Sequence, residues 1–237
     1  MQNEKDSENI DFDPVKTPEE IELLRQAALL TQRVMRETVP LLRPGVSEME
    51  IAEEIARKMR SLGTEPSFDT IVASGENGAE PHHVPDSRKL KAGDLITIDL
   101  GCKYKGYCGD MTRTFALGHV SPENKKMYET VKNAQIAGLL AVRDGIICKD
   151  VDAASRRVIE LAGWGKNFIH GTGHGVGRDV HEPPRLNTTG EVILKNNMVV
   201  TVEPGIYIKG VGGVRIEDTV MVGGENFFDF TKELMIL

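Results

Sequence analysis

The chain has 237 residues, with 29 Lys+Arg against 36 Asp+Glu, a formal net charge of −7, and 40% hydrophobic residues. That length suits one large domain or two small ones with a core that needs no disulfide staples, and three cysteines (Cys102, Cys108, Cys148) form no disulfide framework and point to the reducing cytoplasm. The acidic balance excludes a broad nucleic-acid or anionic-membrane footprint. The first dozen residues lack the regions of a signal peptide, and no apolar run approaches the ~18 residues that span a bilayer.

Residues 1–16 read as a disordered or loosely docked tail ahead of a single domain, 17–237. Thr17-Pro-Glu-Glu20 opens a helix with a capping box, and Pro18 suits the first helical position. Ile21, Leu24, Ala28 and Val34 give it an apolar face, and it is expected to end before Pro44-Gly45. Ser47 and Glu50 repeat the capping signal for a helix over Ile51, Ile55, Met59 and Leu62, stopped by Gly63. Leu95–Leu100 reads as a buried strand, Gly101–Gly109 as a connection and Met111–Leu117 as a second strand. Ser121-Pro-Glu starts a helix reaching about Arg143, and another covers about Val151–Ala162. A glycine-rich stretch around His174 and a strand pair, Met198–Ile208 and Val214–Val222, complete the chain.

The second part repeats the order of the first. Pro18 and Pro122, Leu90 and Leu194, Lys91 and Lys195, and Thr97 and Thr201 lie 104 residues apart, and Gly45 and Gly145, like Gly63 and Gly163, lie 100 apart. Two related αα-ββ halves follow, about 17–117 and 121–222, packing their sheets together.

At the offset of 104, Asp99 falls opposite Glu203, and both interrupt apolar strands. Each is followed by another carboxylate on the following strand, Asp110 after 11 residues and Glu217 after 14. Cross-strand neighbours on one face bring Cβ atoms to roughly 5 Å, so pseudo-twofold packing gathers four carboxylates. One reading is edge-strand carboxylates that face solvent or pair with Arg113 or Arg215. The other is a divalent-metal site, which answers the mutual repulsion of all four. His174, inside Ile169-His-Gly-Thr-Gly-His-Gly-Val-Gly177, is either part of a structural turn or the nitrogen ligand of that site. The stretch is neither a dinucleotide fingerprint nor a phosphate loop. Oxygen-rich donors suit two ions about 3.5–4 Å apart. Cys102 and Cys108 read as ordinary thiols.

These residues, in this order, resemble the metallopeptidases of the creatinase/methionine aminopeptidase "pita-bread" fold, from about Thr17 to Val222. The resemblance implies an α+β fold of two pseudo-symmetric αα-ββ halves, with a curved, mainly antiparallel sheet covered by helices. It implies metal ligands at Asp99 (IDLG), Asp110 (GDMTRTF), His174 (GTGHGVG), Glu203 (VEPGIY) and Glu217 (RIEDT), holding two divalent ions drawn from Mn, Co, Fe or Zn. Glu203 is then also the general base, and His82 and His181 stabilise the tetrahedral centre during hydrolysis of the first peptide bond of a peptide with a free amino terminus. His83 is expected as a solvated side chain, although a swap of roles with His82 stays open. His119 reads as ordinary, and His170 is placed so that it could line the site.

The strings Asp110–Phe115, Arg178–Pro184 and Val214–Thr219 resemble the Xaa-Pro branch, aminopeptidase P and prolidase. Arg215 is expected on the face of Glu217, orienting it or meeting substrate. Methionine aminopeptidase is the alternative within the family, and a non-catalytic peptide-binding module the alternative outside catalysis. Members of the Xaa-Pro branch generally carry a further N-terminal domain, which these 237 residues lack, leaving substrate length open. A monomer or homodimer is expected, with no nucleic-acid or membrane partner.

Overall fold

The capping signals set the helices. In the computed structural model, which describes residues 13–237, Thr17 Oγ1 accepts from Glu20 N–H and the Glu20 carboxylate accepts from Thr17 N–H, opening α1 (Pro18–Thr38). Ser47 and Glu50 exchange the same pair of bonds at the start of α2 (Glu48–Ser61). The second half supplies α3 (Pro122–Ala141) and α4 (Cys148–Leu161). Helix α1 ends earlier than Pro44-Gly45 suggests, because Pro40 lacks an N–H and the chain tightens into a 3-10 turn over Val39–Leu41. Residues 1–12 of the expected tail lie outside the described residues. Its last residues are docked: Val15 bridges to Met198, and buried Lys16 pairs with Glu182.

The first half is built on a three-stranded antiparallel sheet, β2 (Ile71–Ser74), β3 (Leu95–Leu100) and β6 (Met111–Ala116), in the order β2-β3-β6. The expected connection Gly101–Gly109 instead holds a hairpin, β4 (Cys102–Tyr104) and β5 (Tyr107–Cys108), joined by the short β1 (Glu65–Pro66). The second half has the antiparallel order β12-β9-β7-β8, from β7 (Gly173–Gly175), β8 (Glu182–Leu186), β9 (Val199–Val202) and β12 (Asp218–Met221). The expected long strand pair is two ladders. Pro204 cannot extend a ladder, so β9 pairs with β12, while β10 (Gly205–Ile208) pairs with β11 (Gly212–Arg215).

The duplication extends to individual bonds. Gly45 N–H donates to Leu90 O at 3.0 Å and Leu90 N–H to Val46 O at 2.9 Å; Gly145 and Leu194 repeat the pattern with Leu194 O and Ile146 O, both at 2.8 Å. Alternation along the strands then fixes what faces what. Ile96, Ile98 and Leu100 of β3 pack with Leu24, Ile55 and Met59 of α1 and α2. Thr97 and Asp99 point the other way, into the seam between the halves. In β9, Val200 and Val202 join Val151 of α4 in a separate cluster, which turns Thr201 and the following Glu203 to the same seam.

The seam is stitched by β6 lying along Arg215–Glu217. Glu217 N–H donates to Thr112 O at 3.1 Å, and Thr114 Oγ1 donates to Arg215 O at 3.0 Å. Arg113, 1% exposed, donates to Asp218 at 2.8 Å and to the Glu217 carbonyl at 2.6 Å. No helix among the described residues is long and apolar enough to cross a membrane.

Candidate metal centre and its pocket

Five side chains from five segments converge at the seam. Asp99 lies near the end of β3 and Glu203 just past β9; Asp110 immediately precedes β6 and Glu217 immediately precedes β12. His174 is the middle residue of β7. Its N–H donates to Thr201 Oγ1 at 3.1 Å, and Nδ1 donates to Gly175 O at 3.1 Å, leaving Nε2 directed at the carboxylates. Nε2 lies 3.0 Å from Glu203 Oε1 and 3.7 Å from Asp110 Oδ2. Donor atoms of Asp110, His174 and Glu217 all lie within 4.8 Å of one another. The glycines beside His174 answer a contact requirement: a Cβ at Gly173 would fall 2.0 Å from Thr201 O.

The electrostatics show an unmet demand for positive charge. Burial, then the carboxylates of Glu217, Asp99 and Glu203, push Asp110 well above the carboxylate range. Burial, then Glu203 and Asp99, do the same to Glu217, although it accepts a 2.6 Å bond from Thr112 Oγ1. Burial is the largest influence on Glu203 and raises it, but the hydrogen bond to His174, together with the attractions of His174, His170 and Arg215, brings it down to about 2. Asp99 is raised by burial against the pull of Arg215, and its Oδ1 is buried with no hydrogen-bond partner. Four clustered carboxylates, an imidazole nitrogen and an orphaned carboxylate oxygen fit divalent cations with mixed oxygen and nitrogen ligation.

Arg215 shares the pocket face with Glu217, as expected from strand alternation. Its guanidinium serves Asp99, with Nη2 2.7 Å from Oδ2, rather than Glu217. Pairing with Arg215, weighed as an alternative to metal binding, thus occurs for Asp99 and fills only one of its oxygens. Arg113 pairs with Asp218 and with none of the four carboxylates. Arg215 Nη1 also donates to Tyr207 Oη at 2.9 Å, and Tyr207 donates to His170 Nε2 at 2.8 Å. His170 Nδ1 donates to Gly171 O at 2.8 Å, so its ring is held neutral and oriented; burial lowers its pKa in the same sense.

The centre opens into a pocket of about 900 Å³ that is also lined by His82, His181 and His170. The His181 ring packs edge-on to His174, with 4.3 Å between centroids. Loss of solvent and the neighbouring His174 lower His181 to about 4, which leaves a neutral imidazole at pH 7. His83, expected in solvent, is buried: its Nε2 donates to Glu48 at 2.7 Å. Both histidines line the pocket, and His82 is the more exposed of the two. The sequence reading passed over Tyr207, a lone tyrosine in a strand, and Glu48, one acidic residue among several at a helix start.

Residues 22–223 match the model of metallopeptidase family M24. The chain belongs to that family. It is 41% identical over 225 residues to the Xaa-Pro dipeptidase of Pyrococcus furiosus, covering 93% of this chain and 65% of the relative. Among solved structures it is similar to the Xaa-Pro dipeptidase from Bacillus anthracis, with a TM-score of 0.92 and 43% identity over 94% of this chain and 64% of that one. It is also similar to the X-Pro aminopeptidase from Thermotoga maritima, with a TM-score of 0.91 and 38% identity over 94% of this chain and 64% of that one. The chain thus spans under two thirds of the length of these relatives. The α+β pita-bread architecture expected from the motifs is the fold of these M24 structures. The family's metal dependence agrees with the chemistry of the donor set.

Proposed function

We propose that this chain forms the catalytic domain, 17–237 with the docked residues 13–16, of a two-metal peptidase that releases the first residue from Xaa-Pro peptides. The observation that carries the reading is the convergence of Asp99, Asp110, His174, Glu203 and Glu217 on one buried spot at the floor of a pocket that also holds His82 and His181. In this reading the five converging residues hold two divalent cations, which when bound supply an activated water and polarise the scissile carbonyl. Glu203 takes the proton of the attacking water and returns it to the leaving amine, a transfer worth about 10²–10⁴-fold in rate. His82 and the neutral His181 donate N–H groups to the developing oxyanion, the kind of aimed donor that stabilises such a centre once substrate fills the pocket. Polar recognition at the carboxylate floor favours a substrate with a free, cationic amino terminus.

The proline preference is supported by the relatives named for Xaa-Pro substrates, each about 40% identical to this chain. A panel of Xaa-Pro dipeptides, longer Xaa-Pro peptides and a Met-Ala-Ser peptide, assayed with Mn²⁺ or Co²⁺, tests it. Cleavage of Xaa-Pro bonds is expected. Release of methionine alone would replace the reading by methionine aminopeptidase, and no bound metal with no hydrolysis would indicate a peptide-binding module. Glu203→Ala is expected to abolish turnover in a soluble, folded protein; near-normal rates would refute its role.

A further inference from the structure

Away from the carboxylate centre, Glu48, His83 and Asp86 bring ligand-type atoms within 4.8 Å of one another. The hydrogen bonding there argues for a structural hub rather than an ion site, because both oxygens of buried Glu48 are already filled. Oε1 accepts from Ser74 N–H at 2.7 Å and Ser74 Oγ at 2.6 Å. Oε2 accepts from His83 Nε2 at 2.7 Å and Asp86 N–H at 3.3 Å. Asn77 Nδ2 reaches both oxygens, at 3.2 and 3.1 Å.

Every one of these donors lies on a single segment, 74–86, which leaves the end of β2, makes a tight turn over Gly75–Ala79 and delivers His82 to the pocket. Glu48 is the first residue of α2, where the helix N-terminus favours a negative side chain. The main chain there binds the same region: Glu48 N–H donates to Arg88 O at 3.1 Å and Met49 N–H to Asp86 O at 3.0 Å. On its other side the turn rests on the β10–β11 hairpin with no room to spare, since a Cβ at Gly213 would fall 2.0 Å from Gly78 O.

The second half contains a counterpart. Buried Asp152 of α4 accepts from both the N–H and the Oγ1 of Thr172, each at 3.0 Å, two residues before His174. In each half, a carboxylate on the second helix grips the Ser or Thr that begins the path to a histidine of the pocket.

We propose that Glu48 is a positioning residue for His82: through Ser74, Asn77, His83 and Asp86 it fixes the 74–86 segment so that the His82 ring meets the substrate at the carboxylate centre. The role rests on the peptidase reading, since it gives His82 something to act on. Glu48→Gln keeps the side-chain size but replaces one acceptor by an NH₂ group facing other donors, so a buried clash of donors results.

The test uses the whole metal-loaded chain. With Glu48→Gln, kcat on an Xaa-Pro dipeptide is expected to fall by about tenfold or more with KM within about threefold, as for a displaced group that acts in the transition state. Amide hydrogen exchange across 75–86 is expected to accelerate by about tenfold or more, while α4 and residues 173–175 keep their protection. In a His82→Ala background, Glu48→Gln is expected to lower kcat by less than about twofold, because the residue acts through that ring. Multiplicative losses in the double variant, unchanged exchange in 75–86, or, in a folded variant, equal acceleration in α4 and 173–175 would each overturn the proposal. Should Glu48→Gln not fold, His83→Phe removes a single donor from the hub, and the same three readouts apply. A wild-type chain that cleaves no peptide would remove the peptidase reading, while the exchange arm still decides whether Glu48 holds the segment.

Discussion

Asp99 faces Arg215 across the seam, 2.7 Å from Oδ2 to the guanidinium, and keeps its other oxygen buried without a hydrogen-bond partner among the described residues. One half of this carboxylate is therefore committed to the protein and the other half is left for a ligand. Arg215 makes that division possible, since a neutral partner would leave Asp99 to protonate under the burial that already raises its pKa.

Removing the guanidinium should force Asp99 either to take up a proton or to stay buried as an unpaired charge. Arg215→Met is expected to lower unfolding stability by about 3–5 kcal/mol, read from urea denaturation of chelator-treated protein. Tyr207→Phe, which deletes only the hydroxyl between Arg215 and His170, should lose about 0.5–1.5 kcal/mol. Equal losses for the two variants would contradict the central place given to the ion pair.

The crowding of carboxylates gives a pH dependence of definite sign. Asp110 has its pKa raised on folding, so the folded chain binds more protons than the unfolded one above the ordinary carboxylate range, and stability from this group rises as pH falls. Asp110→Asn should therefore stabilise chelator-treated protein at pH 7.5 and do so less at pH 5.5. The same substitution should shrink the thermal shift produced by Mn²⁺. A variant less stable than wild type at pH 7.5 without metal would refute the repulsion.

Gly173 meets the Thr201 carbonyl too closely for any side chain. Gly173→Ala is expected to push β7 away from β9 and carry His174 with it, weakening divalent-metal affinity by about tenfold or more, as measured by titration calorimetry. Retention of full affinity would mean that His174 tolerates movement of its strand.

Glu50 is held down at about 2 by the Ser47 N–H, then by Lys89 and the Ser47 hydroxyl. Because folding lowers this pKa, the capping contribution is full above the ordinary glutamate range and is lost as pH falls toward 2. Glu50→Gln should lower Tm at pH 7, with the difference from wild type shrinking steadily below about pH 4.5. A pH-independent difference would show that the charge of Glu50 plays no part in the cap.

Much of this molecule was legible in the sequence, for identifiable reasons. Capping boxes are local, so α1 and α2 could be read from Thr17, Glu20, Ser47 and Glu50 alone. An acidic residue inside an apolar strand is conspicuous, and the 104-residue offset linked Asp99 to Glu203 before any contact was known. Short strands rich in glycine or proline carry no such signal, and β7 (Gly-His-Gly) and β8 (with Pro183 and Pro184) were missed beside the singled-out His174. The choice of Asp99 as the partner of Arg215 stayed open and the burial of His83 was misread because both depend on segments far apart in the chain: Arg215 reaches Asp99, and His83 reaches Glu48. Strand alternation places a side chain on a face, but it cannot choose among the acceptors that another part of the chain brings there.

The seam has a kinetic consequence. Asp99 and Asp110 come from one half, and His174, Glu203 and Glu217 from the other, with contacts such as Thr112–Glu217 spanning 105 residues. Each half closes through nearer neighbours first, and such long loops close late. Trp164, the single tryptophan, lies in the second half. After dilution from denaturant, its fluorescence should recover before the chain regains the capacity to bind divalent metal. Metal capture would then serve as a stopwatch for the docking of two duplicated lobes.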